Sequence, residues 1–501
     1  MVSRPDSPRR AILVAAATLL TAAGFYWSYG LFPVWWLIWI APVPVLWLAP
    51  RVNAWTAAGM AFVAMALAGF DKWSYYGLLH FPLWLKIAIV IEPAIVFALA
   101  VFFYRSFLRR SRPGLAVLAY PAVIVAAEYL VNLSQGTFGN TAYTQLRDLP
   151  VLQLAALTGI WGISFVVALA PAMAAALLNL EGKPRRNVAI ALACAAVAVL
   201  AYGTIHLAAT PPAPATIRVG FAETHVGPYM FPDTPAPTMS LMQGYADQVQ
   251  ELSARGAKIV VLPEMSALVV DKSQPQLMPQ IDTLFEQAAR ASGAQILLGV
   301  LHVTEGVAYN EGRLYSPSGT IETVYRKHHL VPVAEGRTTP GTAISILPQQ
   351  EGNIGVQICR DMDYPELARR YGKGDVGLVL VPAWEFGPDY LSHGHMSLMR
   401  GVEDGFSMVR SAKAGYLTAS DDRGRILSEK LTLPETGFVT MLADVPVRHD
   451  ATLYQKWGDW FAWLNLAALL FLLTAWIAGV GRRDRKPFAT PAAEEEMREH
   501  A

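Results

Sequence analysis

Asn353-Ile-Gly-Val-Gln-Ile-Cys359-Arg-Asp-Met-Asp-Tyr-Pro-Glu366 reads as an apolar strand that ends at a cysteine, turns sharply through polar residues and opens a helix near Tyr364-Pro365-Glu366. Proline suits a first helical turn, and acidic residues before it suit the positive helix end. A thiol at such a junction lies near backbone N–H groups, which favour thiolate and can also bind a developing oxyanion. The chain has two cysteines, and Cys359 is the one in its polar part. Cys194 falls in an apolar run and reads as a packing residue. Their number and unlike settings do not suggest a disulfide framework.

Two further strand ends deliver reactive side chains. Ile259-Val-Val-Leu-Pro-Glu264 is an apolar strand emptying onto a carboxylate, and Tyr325-Arg-Lys327-His-His-Leu-Val-Pro332 sets a lysine just after another strand. A thiol nucleophile needs a base to take its proton and a cation to favour thiolate. Alone, each residue has an ordinary reading: a loop carboxylate, a solvated lysine, a packed cysteine. All three at strand ends, in this order, point to chemistry.

Around them, strands are expected at Thr216–Glu223, Lys258–Leu262, Gln295–Val303, Ala308–Tyr315, Thr320–Tyr325, Ile354–Ile358, Val376–Val381, Ala414–Ser420 and Arg425–Glu429. Helices are expected at Met239–Arg255, Met278–Ser292, Tyr364–Tyr371 and His395–Ser411. Strands alternating with helices indicate an α/β domain. The segment Ser316-Pro-Ser-Gly319 is a turn between two of the strands.

The rest of the chain is of another kind. Of 501 residues, 53% are hydrophobic and 16% charged, with the apolar excess in the first 210 and in one late segment. This is the composition of a membrane protein carrying a polar domain. Eight apolar runs approach or exceed the length of a spanning helix: Ala11–Tyr29, Leu31–Ala49, Trp55–Phe70, Pro82–Tyr104, Leu115–Val131, Val151–Leu180, Val188–Ala208 and Trp460–Val480. The first resembles a signal peptide, but further spans follow at once, so it reads as a retained helix.

Basic residues alternate between loops. Arg4, Arg9 and Arg10 precede the first run, Arg51 follows the second, and Arg105, Arg109, Arg110 and Arg112 follow the fourth. Lys183, Arg185 and Arg186 follow the sixth, and Arg482, Arg483, Arg485 and Lys486 the eighth; the opposite loops hold little beyond Lys72 and Arg147. Both termini are therefore expected in the cytoplasm, with the polar domain on the outer side of the cytoplasmic membrane. The balance of 40 basic and 39 acidic residues gives no sign of a nucleic-acid partner. The tail after Arg482 reads as disordered.

Leu262-Pro263-Glu264, Tyr325 to Pro332 and Gly355-Val-Gln-Ile-Cys359 together resemble the carbon–nitrogen hydrolase (nitrilase) superfamily. The resemblance implies a four-layer α-β-β-α sandwich, with Glu264 as general base, Lys327 as oxyanion stabiliser and Cys359 as nucleophile. With the membrane part included, nearly the whole chain is similar to the apolipoprotein N-acyltransferase family. His329-Leu-Val-Pro-Val-Ala-Glu335 parallels that family's loop with a second glutamate. Further matches are Tyr364-Pro-Glu-Leu367, His395-Met-Ser-Leu-Met-Arg400, Thr452-Leu-Tyr454 with Gly458-Asp459, Gly139-Asn140 through Gln145, and Gly159 through Ser164. Three segments depart from the family. Arg360 and Asp361 stand where an aromatic and a glutamate are usual, Glu223-Thr-His-Val-Gly replaces Gln-Gly-Asn, and Val381-Pro-Ala-Trp384-Glu385-Phe386 replaces Thr-Asn-Asp-Ala-Trp.

The resemblance implies transfer of an acyl chain from a phospholipid to the N-terminal amine of a diacylglyceryl-cysteine lipoprotein, through a thioester on Cys359 and without a cofactor. Glu335 supports charge, and Arg360, Asp361, Trp384 and Glu385 are candidate substrate or lid residues. Met230, Phe231, Trp384 and Phe386 are candidates to line an acyl channel. No metal is expected, because His328–His329 and His393/His395 lack a third ligand. The chain is expected to act as a monomer. Its expected division is residues 1–210 (seven membrane helices), 215–448 (nitrilase-like domain), 459–480 (eighth helix) and 482–501 (tail). The alternatives are a membrane-anchored amidase or nitrilase using water, an acyltransferase with another acceptor, and an inactive envelope scaffold.

Overall fold

The structure, a computed structural model, describes residues 8–210, 212, 215–224, 234–433 and 437–479. Met230, Phe231, the prolines 211 and 214 and the tail 482–501 lie outside the described residues.

Two sheets make the polar domain. The first runs Phe438–Pro446, Thr216–Thr224, Ile259–Val261, Gln295–Thr304, Val307–Tyr315, Ile321–Arg326, with Ala267–Val270 also paired to Gln295–Thr304. The second runs Ile426–Leu431, Tyr416–Ser420, Ser407–Lys413, Val376–Trp384, Asn353–Val356, Ser345–Leu347. In each sheet three adjacent strands are parallel, and the flanking strands pair antiparallel. Parallel strands need both faces covered, and the side-chain alternation delivers this. In the strand Val376–Trp384, Leu378 and Leu380 enter the core between the sheets with Val219, Val261 and Leu297, while Val379 and Val381 face the helix side with Leu367 and Met399. On the first sheet, Val260 and Leu298 face Val249, Ile281 and Phe285 of the helices Pro235–Ala254 and Leu277–Ser292. The order of layers is helix, sheet, sheet, helix, as expected.

One expected element is wrong in kind. The helix expected at His395–Ser411 is the helix Tyr390–Asp404 followed by the strand Ser407–Lys413. Gly405 ends the helix at φ +70, and a Cβ there would lie 1.8 Å from the carbonyl oxygen of Asp450. A left-handed residue pressed against backbone has to be glycine. The strands Ala267–Val270, Ser345–Leu347 and Phe438–Pro446 also escape the sequence reading.

Among the described residues seven helices are long and apolar enough to cross a membrane: Pro8–Tyr29, Ala54–Leu78, Leu83–Arg109, Pro113–Gln135, Ile160–Leu177, Gly182–Ala208 and Trp460–Ile477. Seven of the eight expected runs are met in this way. The second, Leu31–Ala49, is a chain of short pieces, Leu37–Trp39, Val43–Leu48 and Ala49–Arg51. Pro42, Pro44 and Pro50 remove backbone donors along it and prevent one continuous helix. The expected run Val151–Leu180 is likewise cut at Gly159, ahead of Ile160–Leu177.

Each end of the bundle has its own chemistry. At one end Arg105 donates to the carbonyl of Val52 at 2.8 Å, Arg109 to that of Pro50 at 3.1 Å and Arg110 to that of Trp476 at 3.1 Å, while Arg51 bonds Asn179. At the other end, the helix Pro113–Gln135 meets the polar domain. Arg360 donates to the carbonyl of Gln135 at 3.0 Å, and the Thr137 N–H and hydroxyl donate to the carbonyl of Asp363 at 2.9 and 2.7 Å. The turn that begins at Cys359 is therefore tied directly to a membrane-length helix.

Candidate active site

Three strand ends converge, as their positions in the two sheets allow. Glu264 follows Ile259–Val261, Lys327 follows Ile321–Arg326, and Cys359 lies just beyond Asn353–Val356. All three are buried, at 3%, 1% and 1% exposure, so their charges meet with little water between them. Gly299 lets the Glu264 turn lie down on its neighbour: a Cβ there would be 2.4 Å from the carbonyl oxygen of Pro263.

Lys327 Nζ donates to Glu264 Oε1 and to Glu335 Oε2, each at 2.8 Å. Asn310 Nδ2 donates to the same two carboxylates, at 2.6 Å to Glu264 Oε1 and 2.7 Å to Glu335 Oε1. Only the NH2 side of an amide has two protons, so these bonds fix which way Asn310 faces. The Val331 N–H adds a third bond to Glu335, at 2.7 Å to Oε2. Glu335 thus has its oxygens committed to holding Lys327, Asn310 and the loop.

Burial sets the protonation. It pushes the Cys359 thiol well above its usual range, Glu264 adds to that, and Lys327 and Arg410 oppose it. Burial also raises Glu264, against the pull of Lys327. For Lys327 burial acts to lower, but Glu264 and Glu335 outweigh it and keep the ammonium charged. The resting site is a thiol beside a basic carboxylate and a fixed cation, an arrangement suited to proton removal during attack.

Cys359 itself has φ +46, left-handed for a residue with a side chain. Such a conformation costs about 1–3 kcal/mol and persists only where neighbours over-determine it. Asp361 is the chief of these neighbours. Its Oδ2 accepts from Tyr325 Oη at 2.7 Å and from Ile358 N at 3.1 Å, and its Oδ1 from His328 N at 3.1 Å and His329 N at 2.8 Å. It therefore clamps the cysteine turn to the loop after Lys327, and it is fully buried. Burial acts to raise its carboxyl, but the His329 hydrogen bond and its fellows outweigh that and hold it below the usual range. A depressed folded-state value gives stability present above the unfolded value and lost as pH falls through the folded one. Asp361→Asn turns an acceptor into a donor facing two donors and is expected to lower stability by about 3 kcal/mol at neutral pH. Thermal unfolding in detergent checks this: the gap from the parent should narrow as pH drops below about 4. A gap that stays constant would show that the charge is not what Asp361 contributes.

The other sequence candidates fall in distinct places. Arg360 donates to the carbonyl of Leu330 at 2.6 Å as well as to Gln135, fastening the loop after Lys327 to the membrane helix. The Trp384 carbonyl oxygen is 3.7 Å from Cys359 Sγ. Glu385 is buried behind it, bonded to Arg410 and, at 2.7 Å, to His393 Nδ1. Burial works against its charge, but Arg410 and His393 prevail and hold the carboxyl down to about 2. Asp361 and Glu385 are thus interior ties in this structure.

Sequence reasoning missed Asn310, Arg410 and Lys413. Asn310 is a buried polar residue in a strand, and that pattern was available as a signal. Arg410 falls inside the expected helix His395–Ser411, and Lys413 falls between that helix and the expected strand Ala414–Ser420, whereas both belong to the strand Ser407–Lys413. Lys413 Nζ is 3.4 Å from the Met265 carbonyl oxygen and 4.4 Å from the Trp384 ring centre, and burial lowers it to about 8. Glu223 is buried near it and pushed up by burial to about 7, so two of the departing segments meet here.

Glu385, Asp389 and His393 converge closely enough to suggest a metal. Their atoms are already engaged. Asp389 accepts from Tyr75 Oη at 2.6 Å and from Phe386 N at 3.0 Å, and the Arg410 guanidinium occupies Glu385. The set is an ion-pair cluster.

A cavity of about 790 Å³ opens beside the site. Val96, Phe97, Ile124 and Val131 of the membrane-length helices form its apolar walls, and Arg360, Asp363, Phe386 and His393 close its polar end. Phe386 lines this cavity and Trp384 does not.

Residues 17–173 match the family model for the apolipoprotein N-acyltransferase N-terminal domain, and residues 228–441 match that for carbon-nitrogen hydrolase. An apolipoprotein N-acyltransferase of Azotobacter vinelandii is 28% identical over 98% of this chain and 99% of its own. One from Geobacter metallireducens is 26% identical over 92% of this chain and 94% of its own. An amidase from Nesterenkonia sp. aligns with 46% of this chain and 91% of its own at 19% identity and a TM-score of 0.40. Relatives of the same name span both the membrane helices and the sheet sandwich, and the two family models divide the chain between the same parts. Over nearly its whole length the chain is similar to apolipoprotein N-acyltransferases.

Proposed function

We propose that this chain transfers an acyl group from a phospholipid to the N-terminal amine of a diacylglyceryl-cysteine lipoprotein, with Glu264, Lys327 and Cys359 as the catalytic residues and Glu335 in support. The observation that carries the reading is a buried thiol facing a carboxylate–lysine–carboxylate cluster, in a turn whose Arg360 and Asp363 line a cavity walled by membrane-length helices. Its volume lies within the roughly 300–1,000 Å³ of small-molecule pockets. Its apolar walls suit a fatty chain.

In the first half, Cys359 gives its proton to Glu264 as the sulfur attacks the ester carbonyl. Lys327 and the surrounding donors stabilise the oxyanion. The C–O bond breaks, the lysophospholipid alcohol leaves with the proton held by Glu264, and the thioester remains. In the second half, the acceptor amine attacks the thioester, Glu264 takes its proton, and the C–S bond breaks to give the amide. The proton on Glu264 then returns to the sulfur. Splitting the transfer lets one site serve two bulky substrates in turn.

The arginine-rich end of the bundle, with Arg51, Arg105, Arg109 and Arg110, lies opposite the end that meets the sheets. Basic ends favour the cytoplasm, which supports a catalytic domain on the outer face of the inner membrane with both termini inside. The broken segment 31–51 runs between the two ends and counts as the eighth passage in this reading. The proposed division is residues 1–210, 215–448, 459–480 and 482–501, acting as a monomer.

The test is a turnover assay on full-length protein in detergent, with phospholipid and a synthetic diacylglyceryl-cysteine peptide. N-acylated peptide and lysophospholipid in equal amounts are expected. Free fatty acid without acylated peptide would overturn the reading in favour of a hydrolase.

A further inference from the structure

One more charged side chain reaches the reactive sulfur. Arg410 sits within the strand Ser407–Lys413, between Val376–Trp384 and Tyr416–Ser420, and is 1% exposed. Its Nη2 is 3.9 Å from Cys359 Sγ. A guanidinium buried in a sheet is costly unless paired, and Glu385 is the pair: Arg410 Nε donates to Oε1 at 3.1 Å, and Nη2 donates to the same oxygen. One nitrogen therefore faces both the carboxylate and the sulfur.

The pair is held from behind. Glu385 Oε2 bonds His393 Nδ1 at 2.7 Å, and His393 Nε2 is 3.3 Å from Asp363 Oδ1, in the same turn that Cys359 begins. Burial opposes the charge on His393, but Glu385 and Asp363 outweigh it and push its value up to about 10, so the ring is a cation at neutral pH. His393 and Asp363 also line the membrane-facing cavity. A chain of fixed charges thus runs from the cavity wall to the sulfur.

We propose that Arg410 is a further catalytic residue, the guanidinium that holds the Cys359 thiolate, with Glu385 and His393 as its positioning residues. The proposal rests on Cys359 being the nucleophile. The charged groups facing the sulfur are Glu264, Lys327, Arg410 and Glu385. Lys327 is bonded to Glu264 and Glu335 and is the cation that meets the oxyanion. Arg410 has one carboxylate and a nitrogen turned to the sulfur, so it adds a second positive charge on the sulfur side. Its role comes twice in a turnover: as the S–H proton passes to Glu264 during attack, and when the C–S bond breaks and the electron pair returns to sulfur.

The test is the pH dependence of Cys359 alkylation by iodoacetamide, on full-length protein in detergent carrying Cys194→Ala, because Cys194 is exposed. The double variant Arg410→Gln/Glu385→Gln removes both charges and leaves none unpaired. Arg410 lowers the thiol and Glu385 raises it, so the double variant is expected to slow alkylation at pH 8 about threefold, and Arg410→Gln alone, with the carboxylate left in place, about tenfold. Arg410→Lys, whose compact ammonium does not span both partners, is expected to slow it about threefold. Thermal melts identify which variants are folded, and an unchanged alkylation profile in a folded one overturns the proposal, giving Arg410 a purely structural role. Alkylation needs no lipid or acceptor. Acyl transfer surviving in Cys359→Ala would instead strike at the nucleophile assignment, so the two failures are distinguishable.

Discussion

Lys327→Met is expected to lose both activity and stability, and the two losses should separate. The ammonium is the cation nearest to both Glu264 and Glu335, at 2.8 Å from each. Removing a charge that stabilises an oxyanion costs about a hundredfold to a thousandfold in rate. Removing one partner of a buried ion pair costs about 3–5 kcal/mol, because the charges left behind are uncompensated. Here two carboxylates would remain, bridged only by the Asn310 amide. Adding Glu335→Gln removes one of them. The double variant Lys327→Met/Glu335→Gln should therefore recover much of the melting temperature and none of the activity. Melting curves in detergent and single-turnover acylation measure the two quantities separately. Recovery of activity with stability would mean that Lys327 serves only to neutralise the glutamates.

Glu264→Gln should do the reverse: it should stop the chemistry and spare the fold. Glutamine is nearly isosteric, its Oε1 can still accept from Lys327, and the Lys327–Glu335 pair remains. The loss of a general base costs about 10²–10⁴ in rate. The pH profile carries a second signature. Burial raises the Glu264 carboxyl, with Lys327 opposing, and the base must be ionised to accept the thiol proton. In the parent, the rate of thioester formation should fall as pH drops through that raised value, at a pH above the usual carboxylate range. The glutamine variant should show a low rate with no such acid limb. A variant that acylates at the parent's rate would remove Glu264 from the mechanism.

The parts of the site readable in the sequence were those fixed by strand ends. Apolar runs stopping at Glu264, Lys327 and Cys359 need no tertiary information to be seen, and parallel strands bring such ends together. The residues that hold them were less legible. Asn310 works through two carboxylates from different segments, 46 residues earlier and 25 later in the chain. Arg410 was lost because Ser407–Lys413 carries no strict alternation and follows a helix after only Gly405 and Phe406. The Tyr75–Asp389 bond joins residues 314 positions apart, across the membrane helices and the sandwich, and no local pattern encodes it. The broken segment 31–51 is different. Pro42, Pro44 and Pro50 stood in the sequence, and their missing N–H groups already argued against a continuous helix.

Asp361 shows how a departure from the family's usual residues can be absorbed. A shorter carboxylate than the usual glutamate still collects three backbone N–H groups and a tyrosine hydroxyl, because the turn brings them within 3.1 Å. Arg360, in the aromatic's place, ties the turn to the membrane helix and lies with its guanidinium 5.3 Å from the Tyr364 ring centre. An aromatic contact is thus kept by another residue.

The most direct measurement is the intact mass of the purified protein after incubation with phospholipid, run beside Cys359→Ala. The expected result is a fatty-acyl adduct on the parent, absent from the alanine variant and discharged when a diacylglyceryl-cysteine peptide is added. An adduct of equal yield on the alanine variant, or none on a parent that still acylates the peptide, would contradict a thioester on Cys359.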